Sequence, residues 1–137
     1  MGGKSSRDKG ARGELEWAEF LRSTFGVEAR RGCQFAGGPD SPDVVGGISD
    51  THVEVKRVEK LSIYSAIDQA IRDASEFDVP YVAHRRNRKG WLVTLRAEDL
   101  ENFACNVMFS FIPGDRDVRI GSENLSKGGT ALHAENP

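Results

Sequence analysis

The sequence has few cysteines, no long apolar run and no large excess of either charge. Only Cys33 and Cys105 occur among its 137 residues, and neither has a second Cys or a His at ligand spacing. This argues against a zinc site and indicates reduced thiols. No apolar run approaches the roughly 18 residues of a membrane span, and the basic, glycine-rich start is not a secretory signal. We therefore expect a cytoplasmic protein without a membrane partner.

Charge is distributed unevenly along the chain. The net charge of −2 comes from 19 basic and 21 acidic residues, so the bulk charge does not predict nucleic-acid binding. Residues 98–137 contain seven acidic and three basic residues, which leaves 16 basic and 14 acidic residues in the first 97. If a divalent cation neutralises some of these acidic groups, the working face becomes distinctly positive.

The length fits one domain with its own core, and composition divides the chain into three parts. Residues 1–10 are expected to form a flexible basic arm, with Lys4, Arg7 and Lys9 suited to a phosphate backbone. Residues 11–112 form the domain. Residues 113–137, in which Gly, Ser and Asn dominate, are expected to form a mobile tail.

Apolar periodicity predicts an α/β fold. Helices are predicted at 11–25, at 62–77 and from about residue 97, and strands around 27–34, 43–45, 51–58, 81–83 and 91–95. The order αβββαββα favours a mixed central sheet flanked by helices. In the first helix, Glu14 falls within the apolar arc that contains Ala18, Leu21 and Phe25, and a buried carboxylate requires a partner.

Two carboxylates and a lysine form the candidate chemical site. In the strand around residue 54, alternation directs Val53 and Val55 to the core and places Glu54 and Lys56 together on the other face. We expect the strand that begins at Asp43 to pair with this strand and bring the two carboxylates side by side. Neighbouring carboxylates repel each other unless a proton or a cation lies between them. Hard oxygen ligands favour Mg²⁺ or Mn²⁺, so the pattern predicts metal-dependent phosphodiester hydrolysis.

Two motifs resemble a known family. Pro42-Asp43 followed by Glu54-Val55-Lys56 resembles the motif of the PD-(D/E)XK nuclease superfamily, whose restriction-endonuclease-like core has a similar element order. The segment Lys9–Glu16 is similar to the first helix of archaeal-type Holliday junction resolvases and related phage endonucleases. The resemblance covers about residues 9–100. It implies a Mg²⁺-dependent endonuclease, with Mn²⁺ as a substitute, that resolves four-way DNA junctions as a homodimer in the cytoplasm, the host's if a phage encodes it.

The resemblance also implies a role for each residue of the motifs. Asp43 and Glu54 would bind the metal together with the carbonyl of Val55, and Glu14 would bind it directly or through water. Lys56 would act as the base or stabilise the transition state.

Two further positions follow from the same resemblance. Gln69, in the helix after the Glu54 strand, would orient water or the lysine. Ser41 or the Gly37-Gly38-Pro39 loop would serve as the counterpart of the small polar residue that junction-resolving relatives place before Pro-Asp.

Several basic residues outside the arm are candidates for DNA backbone contacts. The segment 85–89 contains four basic residues in five positions, which is denser than solubility requires. No base-recognition motif is present, so we expect the shape of branched or duplex DNA to be recognised. The candidates are Arg12, Arg30, Arg31, Arg57, Lys60, Arg85, Arg86, Arg88 and Lys89. The three histidines lack ligand spacing and are predicted to be surface or structural residues.

Two alternatives remain open from the sequence. One is a nuclease of the same chemistry that cuts flaps, nicks or duplex DNA without preference for junctions. The other is a DNA-binding module that keeps the fold without catalysis.

Overall fold

A computed structural model describes residues 2–32 and 42–111, with side chains from residue 7 onward. The predicted element order is confirmed. The elements are α1 (Gly2–Phe25), β1 (Ala29–Arg31), β2 (Val44–Gly46), β3 (Thr51–Arg57), α2 (Ile63–Asp73), β4 (Val79–Arg85), β5 (Leu92–Thr94), a 3-10 turn (Ala97–Asp99) and α3 (Leu100–Phe111). None of the helices within the described ranges combines the length and apolar character needed to cross a bilayer.

Within the described residues, the strands form two hydrogen-bonded groups. β3 pairs with β4 in parallel and β4 pairs with β5 antiparallel, so the three-stranded sheet is mixed. α2 connects the two parallel strands, as parallel pairing requires a crossover. β1 and β2 form a separate antiparallel pair. The predicted α/β class with helices against a mixed sheet is confirmed.

α1, which precedes β3 in the chain, and α2, which follows it, cover opposite faces of the sheet. On one face, Trp17 and Leu21 of α1 pack against Val53 and Val55 of β3. On the other face, the small apolar residues of α2 pack against Val82 of β4. The sheet is therefore buried on both sides, and the polar residues of β3 have to be accommodated between the sheet and a helix.

Two glycines determine where α1 ends and how closely it approaches β3. Gly26, at φ +68°, donates its N–H to the carbonyl of Arg22 at 3.0 Å and ends the helix in the left-handed conformation. At Gly13, an added Cβ would lie 3.0 Å from the Cβ of Arg57, so the absence of a side chain lets α1 approach β3 closely. This approach turns Gly13 and Trp17 inward and leaves Leu15 54% exposed.

The expected pairing of the Asp43 segment with the Glu54 strand is wrong. β2 pairs with β1, and this ladder continues beyond both ends, because Gly32 donates to the carbonyl of Asp43 at 2.8 Å and Gly47 donates to that of Glu28 at 2.6 Å. The backbone of this segment is thus engaged away from β3.

Several predicted boundaries also differ from the structure. α2 ends at Asp73 because Ala74 adopts an extended conformation, and Phe77, predicted within the helix, is 82% exposed. Residues 2–10, predicted to be a flexible arm, are helical and form the first part of α1. The division into arm, domain and tail stays a prediction, and residues 113–137, Ser41 and the Gly37-Gly38-Pro39 loop lie outside the described residues.

Replacing each of two glycines of α1 by alanine should have opposite effects. Gly10→Ala meets no atom within 4 Å and should stabilise the protein by about 0.5–1 kcal/mol through helix propensity. Gly13→Ala gains the same propensity but places its Cβ against Arg57, so we expect the free energy of unfolding to fall. Urea unfolding followed by circular dichroism measures both. Equal stabilisation by the two substitutions would contradict the close approach of α1.

Candidate active site

Alternate residues of β3 form a polar row on the face covered by α2. His52 and Glu54 are buried, at 4% and 6% exposure, and Lys56 at the end of the row is half-buried. The row follows from the two-residue repeat of a strand, which sends Val53 and Val55 to the opposite, apolar face. The placement of Glu54 and Lys56 on one face agrees with the sequence prediction.

Asp43 reaches β3 through its side chain. Its Oδ2 accepts a hydrogen bond from the backbone N–H of Val55 at 2.8 Å. Because the N–H and C=O of one residue in an extended strand point to the same edge, the carbonyl of Val55 is directed to the edge that Asp43 occupies. The structure thus brings Asp43 next to Glu54 by a side-chain contact, although the strand pairing predicted for it does not form.

Lys56 is held between two oxygen acceptors. Its Nζ lies 2.9 Å from Oε1 of Glu54 and donates a hydrogen bond to Oε1 of Gln69 at 3.1 Å. Gln69 comes from α2, so the ammonium is fixed from both the strand and the helix. The structure therefore places Gln69 against Lys56, as the resemblance implies.

Glu14 adds a third carboxylate from α1. It is buried and pairs with the guanidinium of Arg31 in β1. Burial raises the pKa of Glu14, and the negative charge of Asp43 raises it further, while Arg31 and Lys56 act in the opposite direction. These effects place Glu14 within electrostatic range of both Asp43 and Lys56.

Burial and the repulsion of a neighbouring carboxylate disfavour the ionised form of Glu54. Burial raises the pKa of Glu54, the neighbouring Asp43 raises it further, and Lys56 offsets only part of this. Carboxylates that repel each other in a partly buried site, next to a backbone carbonyl, match the hard oxygen ligands of a divalent cation. The residues that would hold such an ion are Asp43 and Glu54, with the carbonyl of Val55.

Two residues near Glu54 were missed by the sequence analysis. A nitrogen of His52 and carboxylate oxygens of Glu54 and Asp73 all lie within 4.8 Å of one another. His52, predicted to be a surface or structural residue, lies buried on the polar face of β3. Burial lowers its pKa, and the charges of Asp73, Asp43 and Asp78 oppose this. The two-residue repeat that groups Glu54 with Lys56 also includes His52, and that signal could have identified it.

The candidate DNA-binding residues fall into two groups. Three are engaged with carboxylates: Arg31 pairs with Glu14, while Arg57 and Arg85 lie 3.0 and 3.7 Å from an oxygen of Glu16. The others with described side chains are exposed and form no ion pair within the described ranges, namely Arg7, Lys9, Arg12, Arg30, Lys60, Arg86, Arg88 and Lys89. Lys4 belongs to α1 and lies outside the residues whose side chains the structure describes.

The basic connection between β4 and β5 borders a groove. This groove has a volume of about 460 Å³, and its lining includes Arg86 and Lys89 together with Trp91. Arg85 lies over the ring of Trp91, with 5.7 Å between the guanidinium carbon and the ring centroid. The exposed basic side chains of this connection therefore lie in a groove that also contains the ring of Trp91.

Comparison with known proteins assigns the chain to a family of nucleases. The family model described as "Phage putative PDDEXK endonuclease" matches residues 5–113. The chain belongs to this family, and the predicted membership of the PD-(D/E)XK superfamily is confirmed. A comparison with curated proteins gives no match.

The solved structures that match include one that is similar over part of the chain. It is that of Archaeoglobus fulgidus Hjc, a Holliday junction resolvase from an archaeal hyperthermophile. The sequence identity is 27% and the TM-score is 0.47, and the match covers 61% of this chain and 73% of that one.

Removing the charge of Glu54 should stabilise the metal-free protein. Glu54→Gln keeps the shape of a buried side chain whose ionised form is disfavoured, so at neutral pH we expect the melting temperature to rise by a few degrees. The wild-type protein should lose stability as the pH rises from the ordinary carboxyl pKa to the raised native pKa of Glu54, because the unfolded state releases its proton first. Below that range the two proteins should be alike.

The measurement is thermal unfolding in the presence of a chelator across this pH range. Glu76→Gln, at an exposed position, is the control and should change little. A Glu54→Gln variant that is less stable than the wild-type protein at neutral pH would show that the buried carboxylate is net stabilising.

Proposed function

We propose that this chain is a Mg²⁺-dependent DNA endonuclease that cuts branched DNA, with the four-way junction as its substrate. The observation that carries the proposal is the convergence of Asp43, Glu54 and Lys56 at one edge of β3, in a chain that belongs to a family of endonucleases. Mutually repelling carboxylates are costly for folding, and their retention beside an ammonium is typical of a functional site.

The metal site in this proposal consists of Asp43, Glu54 and the carbonyl of Val55. A divalent cation bound there would polarise the scissile phosphate and lower the pKa of an attacking water. The residues of the chain fix its position: the N–H of Val55 orients Asp43, and Lys56 orients Glu54. Mn²⁺ is expected to substitute because it accepts the same oxygen ligands.

Lys56 is the proposed catalytic cation. Glu54 and Gln69 hold its Nζ in place, so little side-chain entropy has to be given up when it donates a hydrogen bond to a phosphate oxygen. Gln69 accepts from the ammonium and acts as a positioning residue. Glu14, neutralised in part by Arg31, is proposed to contribute to the metal site directly or through water.

Preference for junctions is supported by the resemblance of the Lys9–Glu16 segment to resolvases. A four-way junction requires two opposed cuts, and a two-fold homodimer supplies two identical sites at a fixed separation. Exposed apolar side chains on α3, among them Leu100, Met108 and Phe109, are available for such an interface. We therefore propose a homodimer that makes paired cuts.

Substitution of the site residues should abolish cleavage. We expect Asp43→Asn and Lys56→Met each to reduce cleavage of a four-way junction by about 10²-fold or more, since each removes a charge that acts in the transition state. The assay compares four-way, flap and linear DNA of matched sequence, with Mg²⁺ and with a chelator. Asp68→Asn, at an exposed position of α2, is the control and should cleave normally.

The outcomes separate the three hypotheses. Preferential cleavage of the junction supports a resolvase, and equal cleavage of all three substrates indicates a nuclease without junction preference. DNA binding that Asp43→Asn leaves unchanged, without cleavage by either protein, would favour a non-catalytic module.

Salt dependence should identify the residues that bind the DNA backbone. Replacing Arg86, Arg88 and Lys89 by Ala should weaken DNA binding and reduce the slope of log K against log[salt] by about 0.9 for each phosphate that is no longer neutralised. Fluorescence anisotropy at several salt concentrations measures this. Arg96→Gln is the control, since the charge of Arg96 is compensated by Asp99 at 2.7 Å. An unchanged slope in the triple variant would exclude this connection from the DNA interface.

A further inference from the structure

The group formed by His52, Glu54 and Asp73 is distinct from the edge of β3 at which Asp43 lies. It stands between β3 and the last turn of α2. Its three ligand atoms lie within 4.8 Å of one another. Ligand atoms that share a metal at bond lengths of about 2.1 Å are roughly 3–3.5 Å apart, so closure needs only small side-chain adjustments.

The register of α2 on β3 explains why this group assembles. α2 returns the chain to the start of a parallel strand and so runs opposite to β3. Four residues of helix advance about 6 Å and two residues of strand about 6.6 Å, so the two repeats match. Gln69 consequently meets Lys56, and Asp73, one helical turn further, meets Glu54 and His52.

The imidazole of His52 lies next to two carboxylates in a buried part of the fold. His52 is only 4% exposed. A nitrogen ligand that is buried close to two carboxylates forms the kind of donor set that binds a divalent cation.

We propose that His52, Glu54 and Asp73 bind a divalent transition-metal ion, with Glu54 shared between this ion and the site at Asp43. One imidazole nitrogen with two carboxylates favours Mn²⁺, Fe²⁺, Co²⁺ or Zn²⁺ over Mg²⁺, which prefers an all-oxygen shell. The proposal goes beyond the proposed function, because binding of this ion does not require that the chain cleave DNA.

Mn²⁺ binding to the full, untagged chain tests the proposal by electron paramagnetic resonance. In a large excess of Mg²⁺, which fills the oxygen-only site, we expect one tightly bound Mn²⁺ per chain whose pulsed spectrum shows coupling to an imidazole nitrogen. His52→Gln should remove this coupling. Asp73→Asn, at a half-buried position that tolerates substitution better, should weaken Mn²⁺ binding about tenfold or more.

Two matched variants serve as controls. His84→Gln changes a histidine whose ring contacts Thr94 Oγ1 at 2.9 Å and lies outside the group, and Asp68→Asn changes an exposed carboxylate of the same helix. Both should bind Mn²⁺ with nitrogen coupling. Thermal unfolding tests whether each variant is folded. If His52→Gln does not fold, the Mn²⁺ affinity of Asp73→Asn decides whether the proposal holds.

Three results would overturn the proposal. They are the absence of nitrogen coupling in the wild-type protein, its persistence in folded His52→Gln, and unchanged affinity in Asp73→Asn. Asp43→Asn separates this proposal from the nuclease proposal, since it should retain the nitrogen-coupled ion whether or not it cleaves DNA.

Discussion

The hydrogen bond from the N–H of Val55 to the carboxylate of Asp43 is the interaction on which the site depends. It joins the β1–β2 pair to the three-stranded sheet at a point of β3 that faces away from β4. A charged acceptor makes this hydrogen bond stronger than one between neutral groups. It holds Asp43 in place against the repulsion of Glu14 and Glu54, both of which are buried nearby.

The cost of this arrangement explains the cations around it. Arg31 partly neutralises Glu14, and Lys56 partly neutralises Glu54, yet both carboxyl groups keep a raised pKa. A carboxylate of this kind lowers the stability of the free protein and raises its affinity for a divalent cation by the same electrostatic interaction. Sites that trade stability for function in this way are common, because selection maintains only the stability that the protein needs.

The two faces of β3 differ in polarity and in what they contribute to the protein. Under α1 the face is apolar, and the rings of Trp17 and Tyr81 lie 6.4 Å apart in an edge arrangement within the core. Under α2 the face is polar, and the helix contributes small apolar residues to the core together with Gln69 and Asp73 toward the strand. Substitutions on the polar face therefore act on the site more directly than on the packing of the main core.

The helix and strand periodicity of the sequence by itself determines much of the fold and part of the site. The strand period places His52, Glu54 and Lys56 on one face, and the helix period places Gln69 and Asp73 one turn apart, because each repeat is a property of a single element. Tertiary packing decided which elements meet: that β2 pairs with β1, that Asp43 reaches β3 by its side chain, and that α2 lies in register with the polar row. These outcomes depend on the free energies of interactions between residues far apart in the chain. The periodicity within a single helix or strand carries no information about them.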